Sequence, residues 1–328
     1  MENSLHDQIK QLLHDAPRVL VVSHIRPDGD AVGSLLGMGL ALKAQGKEVQ
    51  MVLSDGVPSV FRHLPGTDLI RHHVHSEYDL SIALDCSDLL RTGEVLQGRQ
   101  PDLNIDHHIT NLNFARVNFV LPEAVATSAI LAEFMEKWGL VITEDIAKVL
   151  LSGVVSDTIG FRTPNVTPHT MRLAADLMEH GPNLSDLYTR ALIRRSFEAA
   201  HYWGYGLLNL KREGRLAWAV LTLKNREEAG YPGKDDADLI NVISNLDGVD
   251  ISVLFVEQSQ GKVKVSWRAQ PSYDVARLAL SFGGGGHPAA AGVEIEGLLS
   301  DVEEAVLKAT KSVLDNNHQK EQDTNPPA

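Results

Sequence analysis

The chain has a single cysteine, Cys86, so no intrachain disulfide can form. It sits in an apolar run, which reads as a small buried core residue rather than a reactive thiol. Basic residues are also scarce: 30 Lys and Arg stand against 43 Asp and Glu, a formal net charge of -13. That balance argues against wrapping long duplex nucleic acid, which needs a basic surface to displace counterions. A small phosphorylated substrate is not excluded, because local metal ions reverse the sign of a pocket. No apolar run is long enough to span a bilayer. The N-terminus carries Glu2 and Asp7 without a long apolar core, so it does not read as a secretory signal. No internal repeat is visible. A cytoplasmic globular protein is the expectation, and 328 residues suffice for two domains with separate cores.

What is present alternates between strand and helix patterns. Leu5, Ile9, Leu12 and Leu13 recur at helical spacing. Val19–Val22 is a continuous apolar run of the kind a doubly covered parallel strand shows. It opens into His24, Asp28 and Asp30 before a helix from Ala31 to about Ala44, and Val49–Leu53 reads as the next strand. His63, His72, His73 and His75 fall in a less regular stretch and read as a solvated loop, since no carboxylate lies at a useful spacing among them. Leu80–Leu84 ends in Asp85, and Leu103–Ile105 ends in Asp106-His107-His108. Helical periodicity returns from Ser128 to Trp138. A second helix runs from Thr143 to about Val155, just before Asp157, and Thr167-Pro168 starts another.

A doubly wound α/β domain over 1–183 follows from this alternation. A helical linker is expected over 184–213, with its longest helical stretch from Leu184 to Leu210. A smaller α/β domain with a mixed sheet is expected over 214–315, its strands at Leu216–Leu223, Ile251–Val256 and Val263–Arg268. Its helices are Asp238–Leu246, Asp274–Ser281 and Asp301 to about Leu314, and residues 316–328 read as a disordered tail.

Four crossovers of the first domain carry Asp or His where strands or helices end: His24, Asp28 and Asp30; Asp85; Asp106, His107 and His108; Asp157. In a parallel sheet the C-terminal strand ends share one edge, so groups distant in sequence converge. So many carboxylates in one site repel unless cations neutralise them. The pattern therefore predicts a metal site, and its ligand count suits two ions, which together clamp a phosphoryl group. Singly, Asp85 or Asp157 is equally well a cap or turn residue, and Asp28-Gly29-Asp30 alone is an ordinary helix opening. Gly283–Gly286, lacking Cβ atoms, let backbone N–H groups approach an anion and form a nest at a helix start. Arg268 and Arg162 are further phosphate candidates.

These motifs, in this order, resemble the DHH phosphoesterase superfamily. Gly283–His287 with Ala289–Gly292 is similar to the signature of the associated DHHA1 domain. Length and domain pairing resemble the nanoRNase and PAP phosphatase (NrnA-like) group. The resemblance implies that His24, Asp28 and Asp85 hold one metal. Asp30, Asp85, His107 and Asp157 hold a second, with Asp85 bridging. It also implies that His108 faces the substrate phosphate, that Asp106 supports the histidines, and that Asp85, Asp106 and His108 form the catalytic set. Ser266 and Arg268 bind substrate, as do Gly284, Gly285, Gly286 and His287 at the nucleotide end, with Arg162 as an added contact. Ala269 departs from the polar residue usual after the arginine.

The implied protein is a phosphoesterase with its site in the cleft between two domains, using two divalent ions. Manganese is expected, with Mg2+ or Co2+ as substitutes. Its substrates are short single-stranded RNA or a mononucleotide bisphosphate, 3'-phosphoadenosine 5'-phosphate, and a homodimer stays open. The alternatives are a cyclic-di-AMP or linear dinucleotide phosphodiesterase, a family II pyrophosphatase lacking such a glycine run, and a non-catalytic nucleotide-binding regulatory module.

Overall fold

The computed structural model describes residues 2–324, with the side chains of residues 2, 3, 287 and 316–324 outside that description. The chain divides into two compact units, Met1–Arg194 and Arg195–Ala328. The first contains α1 (Glu2–Asp15), β1 (Arg18–Val22), α2 (Gly29–Ala44), β2 (Glu48–Val52), β3 (Ile70–Arg71), β4 (Leu80–Leu84), β5 (Leu103–Asp106) and β6 (Val117–Val120). These are followed by α3 (Thr127–Phe134), α4 (Glu144–Asp157), α5 (Pro168–Glu179) and α6 (Leu184–Tyr188).

Its six strands lie in the order β3-β2-β1-β4-β5-β6, all parallel, as expected of a doubly wound domain. Val19–Val22 and every residue of β4 are buried, which is why both read as unbroken apolar runs. The order reverses between β1 and β4, and a crevice opens beyond the strand C-termini at such a reversal. His24 follows β1 and Asp85 follows β4, so the two sit on either side of it.

Two strands of this first sheet were not apparent in the sequence. β3 has only two residues at the sheet edge, and β6 alternates between buried and half-buried positions instead of being apolar throughout.

Helix α2 is buried along most of its length and packs on α4. Their closest approach needs glycine on both sides. A Cβ on Gly33 would lie 2.6 Å from the Val149 carbonyl oxygen, and one on Gly153 would lie 2.1 Å from Ser128 Oγ and 3.0 Å from Asp30 Oδ1. This close packing sets the α2 N-terminus, with Asp30, against the α4 C-terminal turns that lead to Asp157.

The expected long helix from Leu184 to Leu210 is broken. A π-helical turn, Thr189–Ile193, follows α6, and α7 (Phe197–Leu208) starts afresh with Ser196 as its cap, the Ser196 hydroxyl accepting from the Ala199 N–H. The unit boundary falls inside this stretch. The second unit continues with β7 (Lys211–Glu213), β8 (Leu216–Leu221), α8 (Leu223–Ala229), α9 (Leu239–Ile243), β9 (Ile251–Gln258), β10 (Lys262–Ala269), α10 (Val275–Ser281), β11 (Gly285–His287), β12 (Ala290–Glu296) and α11 (Leu299–Thr324). Its sheet, β11-β12-β10-β9-β8-β7, is mixed: β8 and β9 run parallel and every other pair is antiparallel.

The glycine run does not open a helix. It leaves the end of α10 and becomes the edge strand β11, paired with β12. Gly284 has no room for a side chain there, since a Cβ would lie 2.4 Å from the Gly292 oxygen. Helix α11 runs to Thr324, well past Leu314, through residues expected to be a disordered tail. Neither Gly nor Pro interrupts that stretch before Pro326. Residues 325–328 lie outside the described residues.

Gly33→Ala is expected to lower stability by about 1–3 kcal/mol, the usual cost of overpacking. Chemical denaturation of the full chain measures it, and an unchanged midpoint would show that α2 and α4 separate without strain.

Candidate metal centre

Asp85 is the hub of the site. It directly follows β4, is 1% exposed, and has a left-handed backbone with φ of 57°. That conformation costs a non-glycine residue about 1 kcal/mol and persists where surrounding structure over-determines it. His24 Nε2 lies 3.4 Å from Asp85 Oδ2 and 3.9 Å from Asp28 Oδ1. On the other side, His107 Nε2 lies 3.6 Å from both Asp85 Oδ1 and Asp157 Oδ2. His108 Nδ1 is 3.7 Å from Asp85 Oδ1.

Three groupings are close enough to hold a metal ion, each with donor atoms within 4.8 Å of one another: His24, Asp28 and Asp85; Asp30, His107 and Asp157; Asp85, His107 and His108. Among the described residues none includes His63, His72, His73 or His75.

The donors fit a divalent cation. His24 Nδ1 lies 2.8 Å from the Ile25 oxygen and His107 Nδ1 lies 3.3 Å from the Ala124 oxygen. Anchored that way, each ring keeps a proton on Nδ1, so that loss of the Nε2 proton leaves a lone pair turned toward Asp85, where an ion would sit. Asp28 is also the α2 N-cap, its Oδ1 accepting from the N–H groups of Asp30 and Ala31 at 3.0 Å. The ordinary helix-opening role and the place in the cluster therefore coexist.

Several supporting groups escaped the sequence reading. Asp30 accepts from the backbone N–H groups of Thr127 (2.6 Å) and Ser128 (2.8 Å) at the start of α3, and Thr127 Oγ1 donates to Asp85 Oδ1 at 3.1 Å. Thr127-Ser128 before an apolar helix is a capping pattern, which was the available signal. Asp106 is fully buried. Its Oδ1 accepts from the His107 N–H at 2.9 Å and lies 2.7 Å from His108 Nδ1, while its Oδ2 accepts from Asn111 Nδ2 at 2.6 Å.

The electrostatics call for positive charge. Burial opposes charging His24, yet Asp85 and Asp28 outweigh it and raise its pKa to about 9. Burial likewise opposes charge on His107, and Asp85 and Asp157 raise it to about 9. Burial and the Asp85 charge push the Asp30 carboxyl up to about 7. Burial and Asp30 drive Asp157 well above the usual carboxylate range. Asp85 stays ionised: burial disfavours its charge, but the neighbouring His24 and His107 hold its pKa well below the usual range. Cys86 is buried, with its thiol pKa pushed up by burial, in keeping with a core residue.

In the second unit the strand register aligns the other predicted residues. Ser266 pairs with Gly292, which pairs with Gly285; Arg268 pairs with Ala290, which pairs with His287. Ser266 and Arg268 therefore share one face of β10. Gly284 directly precedes β11, and Gly286 pairs with Ala291. Only the backbone of His287 is described; the side-chain role expected of it lies outside the described residues. Arg162 is exposed on the turn beyond Asp157.

Comparison with known proteins settles the family. Residues 18–154 match the DHH family N-terminal domain and residues 216–316 match the DHHA1 domain. The bifunctional oligoribonuclease and PAP phosphatase NrnA of Thermus thermophilus is 33% identical over 300 residues, covering 90% of each chain. The chain belongs to the DHH family. Asp157 falls just beyond the matched range of the DHH domain. The Bacillus subtilis protein of the same name is 24% identical over 84% of this chain and 89% of its own. Among solved structures, an exopolyphosphatase-related protein from Bacteroides fragilis superposes with a TM-score of 0.87 at 25% identity, covering 96% of both chains.

Loading the DHH centre with a divalent ion is expected to release protons. At neutral pH without metal, histidines with pKa near 9 are protonated and a carboxyl near 7 is about half protonated, and ligation needs them deprotonated. Affinity for manganese should therefore rise with pH across that interval and fall below it. Titration calorimetry at pH 7 in buffers of different ionisation enthalpy measures the release; identical apparent heats would contradict it.

Proposed function

We propose that the protein is a two-metal phosphoesterase that hydrolyses short oligoribonucleotides to nucleoside monophosphates and 3'-phosphoadenosine 5'-phosphate to AMP. The observation that carries this reading is the convergence of three donor groupings linked through Asp85 and His107. The NrnA-named relatives, matched over most of their length, support the substrate class. His24, Asp28 and Asp85 hold one ion, and Asp30, Asp85, His107 and Asp157 the other. Mixed carboxylate and imidazole ligation favours manganese, with magnesium or cobalt as substitutes. When bound, the ions supply Lewis-acid stabilisation of the phosphoryl charge and activation of the attacking water.

The chain's own groups do the rest. Asp106, braced by Asn111 and the His107 N–H, fixes His108 as the Nδ1–H tautomer, which places the basic nitrogen at Nε2. Once Nε2 has taken up a proton, His108 would donate it in a hydrogen bond to the phosphate or pass it to the leaving oxygen. Ser266, Arg268 and the edge-strand backbone at Gly284, Gly285 and Gly286 take the nucleotide end, with His287 and Arg162 as added contacts. A net charge of -13 repels long strands and leaves short ones to a local basic group. No described helix is long and apolar enough to cross a membrane, and we assign the activity to the cytoplasm.

A manganese turnover assay comparing a ribodinucleotide, 3'-phosphoadenosine 5'-phosphate, cyclic di-AMP and pyrophosphate tests the assignment. The first two should be hydrolysed and pyrophosphate should not; a preference for cyclic di-AMP would replace the reading with a dinucleotide phosphodiesterase. Asp85→Asn keeps a residue that tolerates the left-handed backbone. It should lower turnover by more than about a hundredfold, beyond the loss typical of a ligand's supporting group, with far-UV circular dichroism unchanged. Retained turnover would remove Asp85 from its bridging role. Arg268→Ala should raise KM for the dinucleotide more than for a phenyl phosphodiester, and equal losses would place Arg268 outside the recognition site.

A further inference from the structure

Arg268 is not simply an exposed strand-end arginine. Its Nε donates to Asn241 Oδ1 at 3.2 Å and its Nη1 donates to the Trp267 carbonyl oxygen at 3.0 Å. A guanidinium is planar with its donors in a fixed fork, so two such bonds fix both its plane and its rotation. Its Nη2 has no protein acceptor among the described residues. Asn241 is constrained in return: the Arg268 Nε–H needs an acceptor, which assigns Oδ1 to that side and turns the Nδ2 amide away. That amide also has no protein acceptor among the described residues. The bonded pair thus holds two donors, Asn241 Nδ2 and Arg268 Nη2, uncommitted to the protein.

Asn241 is itself held in place. It lies on α9, whose entry is a turn with two successive non-glycine residues in the left-handed region, Ala237 at φ 51° and Asp238 at φ 66°. Strain of this kind survives only where the surroundings enforce it. Trp203 Nε1 donates to the Ala237 oxygen at 2.9 Å, Arg195 Nη2 meets Asp238 Oδ2 at 2.7 Å, and Tyr231 OH donates to Asp235 Oδ1 at 2.5 Å. Burial works against the ionisation of Arg268 and lowers its pKa, opposed in part by the charges of Asp236 and Asp238. A neutral acceptor at position 241 orients the guanidinium without cancelling its charge toward an anion.

We propose that Asn241 is the positioning residue for Arg268, setting the guanidinium to receive the phosphate-bearing end of a nucleotide. This rests on the reading of Arg268 as the recognition arginine. Asn241→Ala, Arg268→Ala and the double variant are compared in the full chain with manganese, on a 5'-phosphorylated ribodinucleotide and on bis(p-nitrophenyl) phosphate.

Asn241→Ala should raise the dinucleotide KM about tenfold, the scale of a hydrogen bond to a charged group, with kcat within about twofold. In the Arg268→Ala background the same substitution should change KM by less than about twofold, because its effect is routed through the arginine. An unchanged KM for Asn241→Ala while Arg268→Ala behaves as expected would overturn the positioning role alone. So would a full, multiplicative loss in the double variant. Equal losses on both substrates for Arg268→Ala would overturn the recognition reading and this inference with it. A fall in kcat on both substrates for Asn241→Ala would assign it to the fold instead.

Discussion

Asp30, Asp85 and Asp106 are buried at one end of a parallel sheet, and negative charge taken out of water must be balanced close by. Each carboxylate meets the requirement differently. Asp106 is occupied by an N–H, an imidazole and an amide. Asp30 is held by two backbone donors at a helix N-terminus, yet its pKa still rises to about 7 under burial and the Asp85 charge. Among the described residues the Asp85 carboxylate has one hydroxyl donor, with His24 and His107 to either side and His108 at 3.7 Å. Without metal, protons on His24 and His107 supply the compensating charge. The centre is therefore built around a cation requirement that protons meet only in part, which makes a divalent ion the natural occupant.

Meeting that requirement at one point dictates the packing beneath it. Asp30 enters from the α2 N-terminus and Asp157 from the α4 C-terminus, so the two helices must come close near their site ends. The glycines at the crossing serve this close approach more than any flexibility. The reversal of strand order between β1 and β4 does the same for His24 and Asp85.

Which features were legible in the sequence follows from the same physics. Strands buried on both faces show as unbroken apolar runs, and an Asp or His ending such a run stands out, so the ligand candidates could be read one crossover at a time. β3 and β6 could not, because a two-residue edge strand and a half-covered alternating strand lack that signature. The donors that hold Asp30 are backbone N–H groups, which any residue type supplies, and Asn111 looks like loop composition until Asp106 is placed beside it. The glycine run reads in the sequence as an anion nest at a helix start, because glycines lack Cβ atoms. Small residues on both strands instead allow Gly285–His287 and Ala290–Glu296 to pair, with Ala291 buried and β10 on the far side of β12.

That hairpin also bears on how a chain so rich in carboxylates can offer positive charge to an anion. The ladder places Ser266 and Arg268 on one face of β10, in register with the glycine edge strand, while Trp267 turns to the other face and donates to Thr310. Around Arg268 the nearby acids, Asp236 and Asp238, act through charge, and its hydrogen bonds go to a neutral amide and a carbonyl. A carboxylate in direct contact would hold the guanidinium just as firmly and neutralise it toward an incoming anion. An amide orients it and leaves its charge to the ligand. Against a net charge of -13, such a group acts over little more than a Debye length, about 8 Å at physiological salt. On the proposed reading, one phosphate at the end of a short strand would lie within that reach, and the many phosphates of a long one would not.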